Sequence, residues 1–221
     1  MADKTESPKE TYTGYSQLDD SWQRVMLGVS STTIGANGCL LCAIASGLTD
    51  AGVLIQGLPA DPPRLSRWLS RNGGFVAPLS RTKERSLFVF DSLGPLGVKL
   101  VDYIDARKKA APLDGLEEAL NTEGCFAAIH VDFSPGGSAQ QHWVRAVAWY
   151  DHDIKVMDPW IRGSSQDAYL MTRYALPSWD DPTRAIFRIV IYQAVGVEAT
   201  YPTPSVVSRS NVQDELYTYQ P

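Results

Sequence analysis

The chain has 221 residues, 44% hydrophobic content and a net charge of −5, which suits one domain with one well-buried core. The acidic balance and the scarcity of basic runs argue against nucleic acid as a partner. No stretch approaches the roughly 18 apolar residues of a membrane span. The polar start MADKTESPKE has no apolar signal core, so we expect cytoplasmic synthesis without a signal peptide.

The two ends of the chain differ in composition from its centre. Residues 1–12 are polar and charged, which predicts a disordered N-terminus ahead of a domain at 13–196. Residues 197–221 are polar and contain prolines and tyrosines. We expect an extended C-terminal tail there, which could lie on other subunits of a larger assembly.

Three helices are predicted in the first part of the domain. After the loop VSSTTIGANG, the stretch CLLCAIASGLTDAG is apolar on nearly every side, which is typical of a central buried helix. PADPPRLSRWLSRNGG predicts a second helix with Asp61 as its N-cap, and PLDGLEEALNTEG a third. Between these two, residues 81–109 show no clear pattern beyond a short strand in SLFVF.

Strand patterns then replace the helical period. We predict strands at 125–133, 142–150, 153–158 and 185–195, with a hairpin at YDHD between the second and the third. Helices that precede a run of strands favour an α+β fold. The expected architecture is an N-terminal buried helix that carries a cysteine and packs on an antiparallel sheet that carries a histidine and an aspartate.

The three cysteines, Cys39, Cys42 and Cys125, are too few and odd in number for a disulfide framework, so we expect free thiols. Cys39 opens the buried helix directly after Gly38. Free backbone N–H groups and the helix dipole at that position stabilise a thiolate. Cys39 is therefore a candidate nucleophile, and a small buried core residue is the alternative.

A cysteine nucleophile needs a base, and the chain has three histidines. His142 opens a strand after the polar loop SPGGSAQQ, a place where functional groups concentrate, and Trp143 could shield it from water. His130 lies within a strand, which favours a packed residue, and His152 lies in the polar turn. We therefore prefer His142 as the base.

Asp158 is the candidate for orienting the base, because it ends the strand that pairs with the strand of His142. A tight hairpin places Asp158 opposite residue 145 or 146, about 10 Å along the sheet from His142. A hydrogen bond between them then requires a bulge or a strong twist. The alternative is a strand-end turn formed with Pro159.

Gln17 in YSQLD is the candidate oxyanion donor. Acyl transfer at a cysteine needs hydrogen-bond donors where negative charge develops on the carbonyl oxygen. A glutamine amide could act there together with the backbone N–H of Cys39. Taken alone, Gln17 is an ordinary polar loop residue.

Together, YSQLDDSW, TIGANGCLLCAIASGL, HWVRAVAWY and IKVMDPW resemble the C39-like peptidases, a branch of the papain-like cysteine peptidases. The resemblance covers about residues 15–160 and implies a papain-like fold. It also implies an enzyme that cleaves peptide or amide bonds without a metal or an organic cofactor. It implies Cys39 as nucleophile, His142 as base, Asp158 as its orienting partner and Gln17 as oxyanion donor. Related domains occur in bacteriophage particles, where they cut cell-wall (peptidoglycan) peptides or serve as structural parts of the virion or tail. The substrate stays open, because a leader peptide, a peptidoglycan bridge and an isopeptide all fit this chemistry.

Three alternatives remain open. Cys39 and Cys42 form a Cys-x-x-Cys pair that could carry redox chemistry, although the usual βαβ context is missing and a structural zinc needs more ligands. A papain-like fold could also serve as a non-catalytic structural or binding component of a larger assembly such as a phage virion or tail. The same catalytic residues could run a transglutaminase, a deamidase or an acyltransferase, because the shape of the pocket decides the acceptor.

Overall fold

The computed structural model describes residues 11–28, 30–76, 87–150, 152–163 and 166–195. The predicted C-terminal tail at 197–221 and residues 1–10 of the predicted disordered segment lie outside the described residues. The described chain begins at Thr11, and Tyr12 already donates a hydrogen bond to Asp167.

The described residues form five α-helices: α1 (Ile34–Asn37), α2 (Cys39–Asp50), α3 (Pro62–Arg71), α4 (Asp114–Asn121) and α5 (Leu170–Tyr174). Helices α2, α3 and α4 confirm the three predicted helices, and Asp61 caps α3 by accepting a hydrogen bond from the Arg64 amide. The loop predicted before Cys39 contains α1, which Thr33 caps in the same way. Two 3₁₀ helices lie at Phe90–Leu96 and Pro182–Arg184.

The strands are β1 (Leu54–Ile55), β2 (Leu58–Pro59), β3 (Phe75–Val76), β4 (Leu87–Phe88), β5 (Val98–Asp105), β6 (Cys125–Asp132), β7 (Gln141–Tyr150), β8 (Asp153–Met157), β9 (Asp167–Tyr169) and β10 (Arg188–Ala194). Six of them form one antiparallel sheet in the order β5-β10-β6-β7-β8-β9. The predicted hairpin is confirmed, because β7 pairs with β8 across the turn.

Two strand predictions need correction, and one long strand was missed. The stretch SLFVF supplies only the two-residue strand β4, and the last strand begins at Arg188 rather than at residue 185. Strand β5 was not predicted at all. It lies at an edge of the sheet, and its charged residues interrupt the apolar alternation that identifies a half-buried strand.

Helices cover both faces of the sheet. Helix α2 packs on β6 and β7 from one side, and α4 and α5 pack on the sheet within a second apolar core. Burial on both faces explains why β6 is almost continuously apolar instead of alternating. Helix α2 lies close to the sheet because Gly47 has no side chain: a Cβ there would collide with the ring of Phe126. The described residues thus form a mixed structure of helices and an antiparallel sheet, as predicted.

Candidate active site

Cys39 is the first residue of α2, and the chain turns tightly to reach it. The amide of Gly38 donates to the Ile34 carbonyl at 2.7 Å, and a Cβ on Gly38 would collide with that same oxygen. Gly38 has no side chain to cap the helix, so backbone N–H groups of the first turn remain directed at its start. Cys39 keeps part of its surface exposed, whereas Cys42 and Cys125 are buried.

His142 lies at the start of β7 and contacts Asp158, which directly follows β8. The His142 Nε2 to Asp158 Oδ1 distance is 2.7 Å, and the two side chains are only 4% and 0% exposed. Since Asp158 occupies Nε2, Nδ1 is the ring nitrogen left for the thiol of Cys39. The structure therefore brings together three of the residues that the sequence analysis selected.

A β-bulge in β7 makes this contact possible. On the side of the bulge nearer the turn, Ala148 pairs with Lys155. On its other side, Ala146 pairs with Val156, the next residue of β8, so Val147 is an extra residue in β7. Continuing this register puts Asp158 level with Val144, and not with residue 145 or 146 as predicted. Residues 142 and 144 lie on the same face of a strand, so the bulge turns Asp158 to the face of His142.

Asp158 is fully buried and has several hydrogen-bond partners. Oδ1 accepts from the Trp160 amide at 2.8 Å in addition to His142, and Oδ2 accepts from the Tyr174 hydroxyl at 2.6 Å. The Arg173 Nε lies 3.9 Å from Oδ2 on the solvent side. Burial raises the pKa of this carboxyl, but the contact with His142, then that with Tyr174, holds it below the ordinary value.

Cys39 and His142 perturb one another. Burial raises the pKa of the Cys39 thiol, but hydrogen bonding and charge from His142, followed by the backbone N–H groups of Trp143 and Leu40, lower it below its ordinary value. Burial lowers the pKa of His142, whereas Asp158 and then Cys39 raise it from 6.5 to about 9. A thiolate beside an imidazolium is the arrangement that these shifts favour near neutral pH.

Aromatic rings enclose the imidazole of His142, but Trp143 is not among them. Phe133 and Tyr174 lie with ring centroids 5.1 and 5.9 Å from it. Trp143, which was expected to shield His142, points to the other side of the sheet because neighbouring strand residues alternate. It stacks on His130 at 5.0 Å.

Gln17 is buried and connects the two sides of the site. Its backbone N–H donates to the Pro159 carbonyl, one residue after Asp158, and its side-chain Nε2 donates to the Gly35 carbonyl, both at 2.8 Å. One N–H of the amide is thereby used, and one remains. Gln17 thus lies between the turn that follows Asp158 and the segment that leads into Cys39.

The other histidines and the second cysteine are placed differently. His130 is buried with Nδ1 2.9 Å from Arg188, and burial followed by the charge of Arg188 lowers its pKa to about 3. His152 is exposed in the β7–β8 turn. Burial and the nearby Cys39 raise the pKa of Cys42 well above its ordinary value, which makes it a poor thiolate for exchange chemistry.

The sequence analysis missed Phe133, Arg173 and Tyr174. Phe133 directly follows β6, and Arg173 and Tyr174 lie on α5. Their neighbours in the sequence form no motif with the cysteine or the histidines. Only the folded sheet brings them to Asp158 and His142. A cavity of about 230 Å³ lies near the other end of α2, beside Asp50 and Arg145, and does not include Cys39.

Within the described ranges, no group of three or more His, Cys, Asp or Glu side chains is arranged to hold a metal ion. None of the helices described here is long and apolar enough to cross a membrane.

No protein-family model matches the chain, and no curated protein matches it either. A solved structure from Bacillus anthracis, provisionally assigned as a C39-like peptidase, is similar to it at 15% sequence identity and a TM-score of 0.46. That comparison covers 86% of this chain and 98% of the Bacillus chain. A similarity this distant does not extend to the chemistry of the site.

Proposed function

We propose that the chain is a thiol hydrolase of the cysteine peptidase type, with Cys39 as nucleophile, His142 as base and acid, and Asp158 as the residue that orients His142. The supporting observation is the buried 2.7 Å contact between His142 and Asp158 beside a partly exposed cysteine at a helix start. Such a nucleophile, base and orienting group form the usual constellation of covalent acyl transfer.

The reaction proceeds in two steps. The Cys39 thiolate attacks the carbonyl carbon of the substrate and forms a C–S bond, while the negative charge moves to the carbonyl oxygen. The backbone N–H of Cys39 and the remaining N–H of Gln17 are the donors proposed for that oxygen. The His142 imidazolium then gives its proton to the leaving amine as the C–N bond breaks, and a thioester remains on Cys39.

Water completes the cycle. Neutral His142 accepts a proton from a water molecule, whose oxygen attacks the thioester carbonyl, and the acid product leaves as the thiolate and imidazolium are restored. Throughout both steps, Asp158 keeps the Nδ1 side of the ring directed at the reacting atoms. None of these steps routes electrons or protons through a metal or an organic cofactor.

Peptides and peptidoglycan fragments are the substrates to test, since peptide bonds in either setting fit this chemistry. We expect the Cys39→Ala variant to fold normally and to lose all turnover of any substrate that the wild type cleaves. Cys42→Ala is the matched control, one helical turn away on the same helix, and should keep its turnover. Turnover that persists in Cys39→Ala, or that depends equally on Cys42, would contradict the proposal.

Thiol labelling separates an enzyme from a structural component of an assembly. With iodoacetamide near pH 6, an activated Cys39 should react much faster than a cysteine in a short peptide, because its thiolate is already formed. Labelling at the rate of the peptide would instead favour a papain-like fold retained as a non-catalytic part of a larger particle.

A further inference from the structure

Tyr174 is fully buried at the end of α5, and its hydroxyl has a hydrogen-bond partner inside the protein. It donates to Oδ2 of Asp158 at 2.6 Å. A buried hydroxyl without a partner costs stability, so this contact stabilises the buried Tyr174 side chain. The contact is directed at the one carboxylate oxygen that does not face His142.

The two oxygens of Asp158 are thereby divided between two sets of partners. Oδ1 faces the imidazole and the Trp160 amide, whereas Oδ2 faces the Tyr174 hydroxyl at 2.6 Å and the Arg173 Nε at 3.9 Å. The close partner of Oδ2 is the hydroxyl. Without it, the plane of the carboxylate could turn about the Cβ–Cγ bond, and neither oxygen would stay in line with Nε2 of His142.

The same side chain also contacts the imidazole itself. The ring of Tyr174 lies 5.9 Å from the ring of His142, centroid to centroid, and covers it together with Phe133. A phenylalanine at position 174 would keep this cover and lose only the hydroxyl. The two roles of Tyr174 can therefore be separated by a single substitution.

We propose that Tyr174 is a positioning residue of the site, which acts through Asp158 by holding the carboxylate plane in the orientation that keeps one oxygen 2.7 Å from Nε2 of His142. This inference rests on the function proposed for Cys39, His142 and Asp158. The charged and titratable groups that face Asp158 are His142 from β7 and Arg173 and Tyr174 from α5, with Cys39 beyond the imidazole.

Tyr174→Phe tests the proposal, and Tyr192→Phe is its matched control. Tyr192 is equally buried, and its hydroxyl also makes one hydrogen bond, to the Phe90 carbonyl at 3.0 Å. The measurement is the rate at which iodoacetamide labels Cys39 between pH 4 and pH 10, located by mass spectrometry. Thermal unfolding of both variants shows how much stability each lost hydroxyl costs.

We expect the acid limb of the labelling profile to move up by about one pH unit in Tyr174→Phe, the size of one lost hydrogen bond to a charged group. Labelling on that limb then slows by about tenfold. The profile of Tyr192→Phe should overlay that of the wild type even if its melting temperature falls. In an Asp158→Asn background, Tyr174→Phe should have no further effect on the profile.

A folded Tyr174→Phe protein whose labelling profile matches the wild type would overturn the proposal. If wild-type Cys39 labels no faster than a peptide cysteine, the proposed function fails instead. The positioning role is then decided by an NMR titration of the His142 ring. A lower pKa of His142 in Tyr174→Phe than in wild type and Tyr192→Phe would support that role, and an unchanged pKa would refute it.

Discussion

Replacing Asp158 by Asn tests the charge at the centre of the proposed site. Asn has nearly the same size. Its Oδ1 can still accept from the Trp160 amide, and its Nδ2 can donate to the Tyr174 hydroxyl oxygen, so the packing is kept and the charge is lost. Burial alone lowers the pKa of His142, and Asp158 followed by Cys39 raises it to about 9. If Asp158 supplies about half or more of that rise, the pKa of His142 falls by about one to two units in the variant.

The consequence reaches Cys39. A less basic imidazole is protonated less often at neutral pH, and the thiolate loses its main stabilising partner. We therefore expect iodoacetamide labelling of Cys39 at pH 6 to slow by about ten- to a hundredfold in Asp158→Asn. Peptide turnover should fall with it, because the same ion pair performs the acylation.

Asp153→Asn is the control for this experiment. Asp153 lies at the opposite end of β8, where its carboxylate accepts hydrogen bonds from the Ile154 and Met171 amides at 2.7 and 2.9 Å. It should leave the labelling rate of Cys39 unchanged. A labelling profile of Asp158→Asn that coincides with the wild type across the pH range would refute the assignment of Asp158.

Turnover should follow a bell-shaped dependence on pH. It falls as pH drops through the lowered pKa of Cys39, where the thiolate is protonated, and again as pH rises through about 9, where His142 loses the proton that the leaving amine needs. An alkaline limb near pH 6.5 would contradict this. Gly47→Ala should lower the free energy of unfolding in urea by about 1–3 kcal/mol because its Cβ collides with Phe126, whereas Gly94→Ala, where a Cβ meets nothing within 4 Å, should be neutral. Arg145→Ala removes a buried guanidinium of β7 that pairs with the partly exposed Asp50 of α2 and should cost about 1–3 kcal/mol in the same assay, and a loss well under 1 kcal/mol would show that the pair contributes little.

The local elements could be predicted because their signals are contained in short stretches of sequence. The apolar run after Gly38 predicted α2 and put Cys39 at its first turn, and the polar turn YDHD predicted the β7–β8 hairpin. Each depends on residues that are neighbours in the chain. Strand β5 gave no such local signal, since its charged residues interrupt the apolar alternation and the strand is held by pairing with β10, about 90 residues away.

The surroundings of the site could not be predicted, because they depend on which side chains face each other across the sheet. Trp143 was expected to shield His142 on the ground of adjacency alone. In a strand, adjacency places two side chains on opposite faces, so Trp143 shields His130 instead. The rings that do enclose His142 come from Phe133, which directly follows the neighbouring strand β6, and Tyr174, on α5.

The extra residue in β7 shows why the position of Asp158 was the hardest prediction. Counting from the turn, a regular hairpin sets Asp158 level with Arg145, whose side chain points to α2 and bonds Ser46 and Asp50. Because side chains alternate, a shift of one residue exchanges the two faces of the sheet. Val147 supplies that shift, and the carboxylate moves to the face where His142 lies. The sequence VRAVAWY gives no sign of an unpaired residue, so two correct strands and a correct turn still yielded the wrong register. The contact between His142 and Asp158 therefore depends on one extra residue in β7, which only the pairing of the two strands reveals.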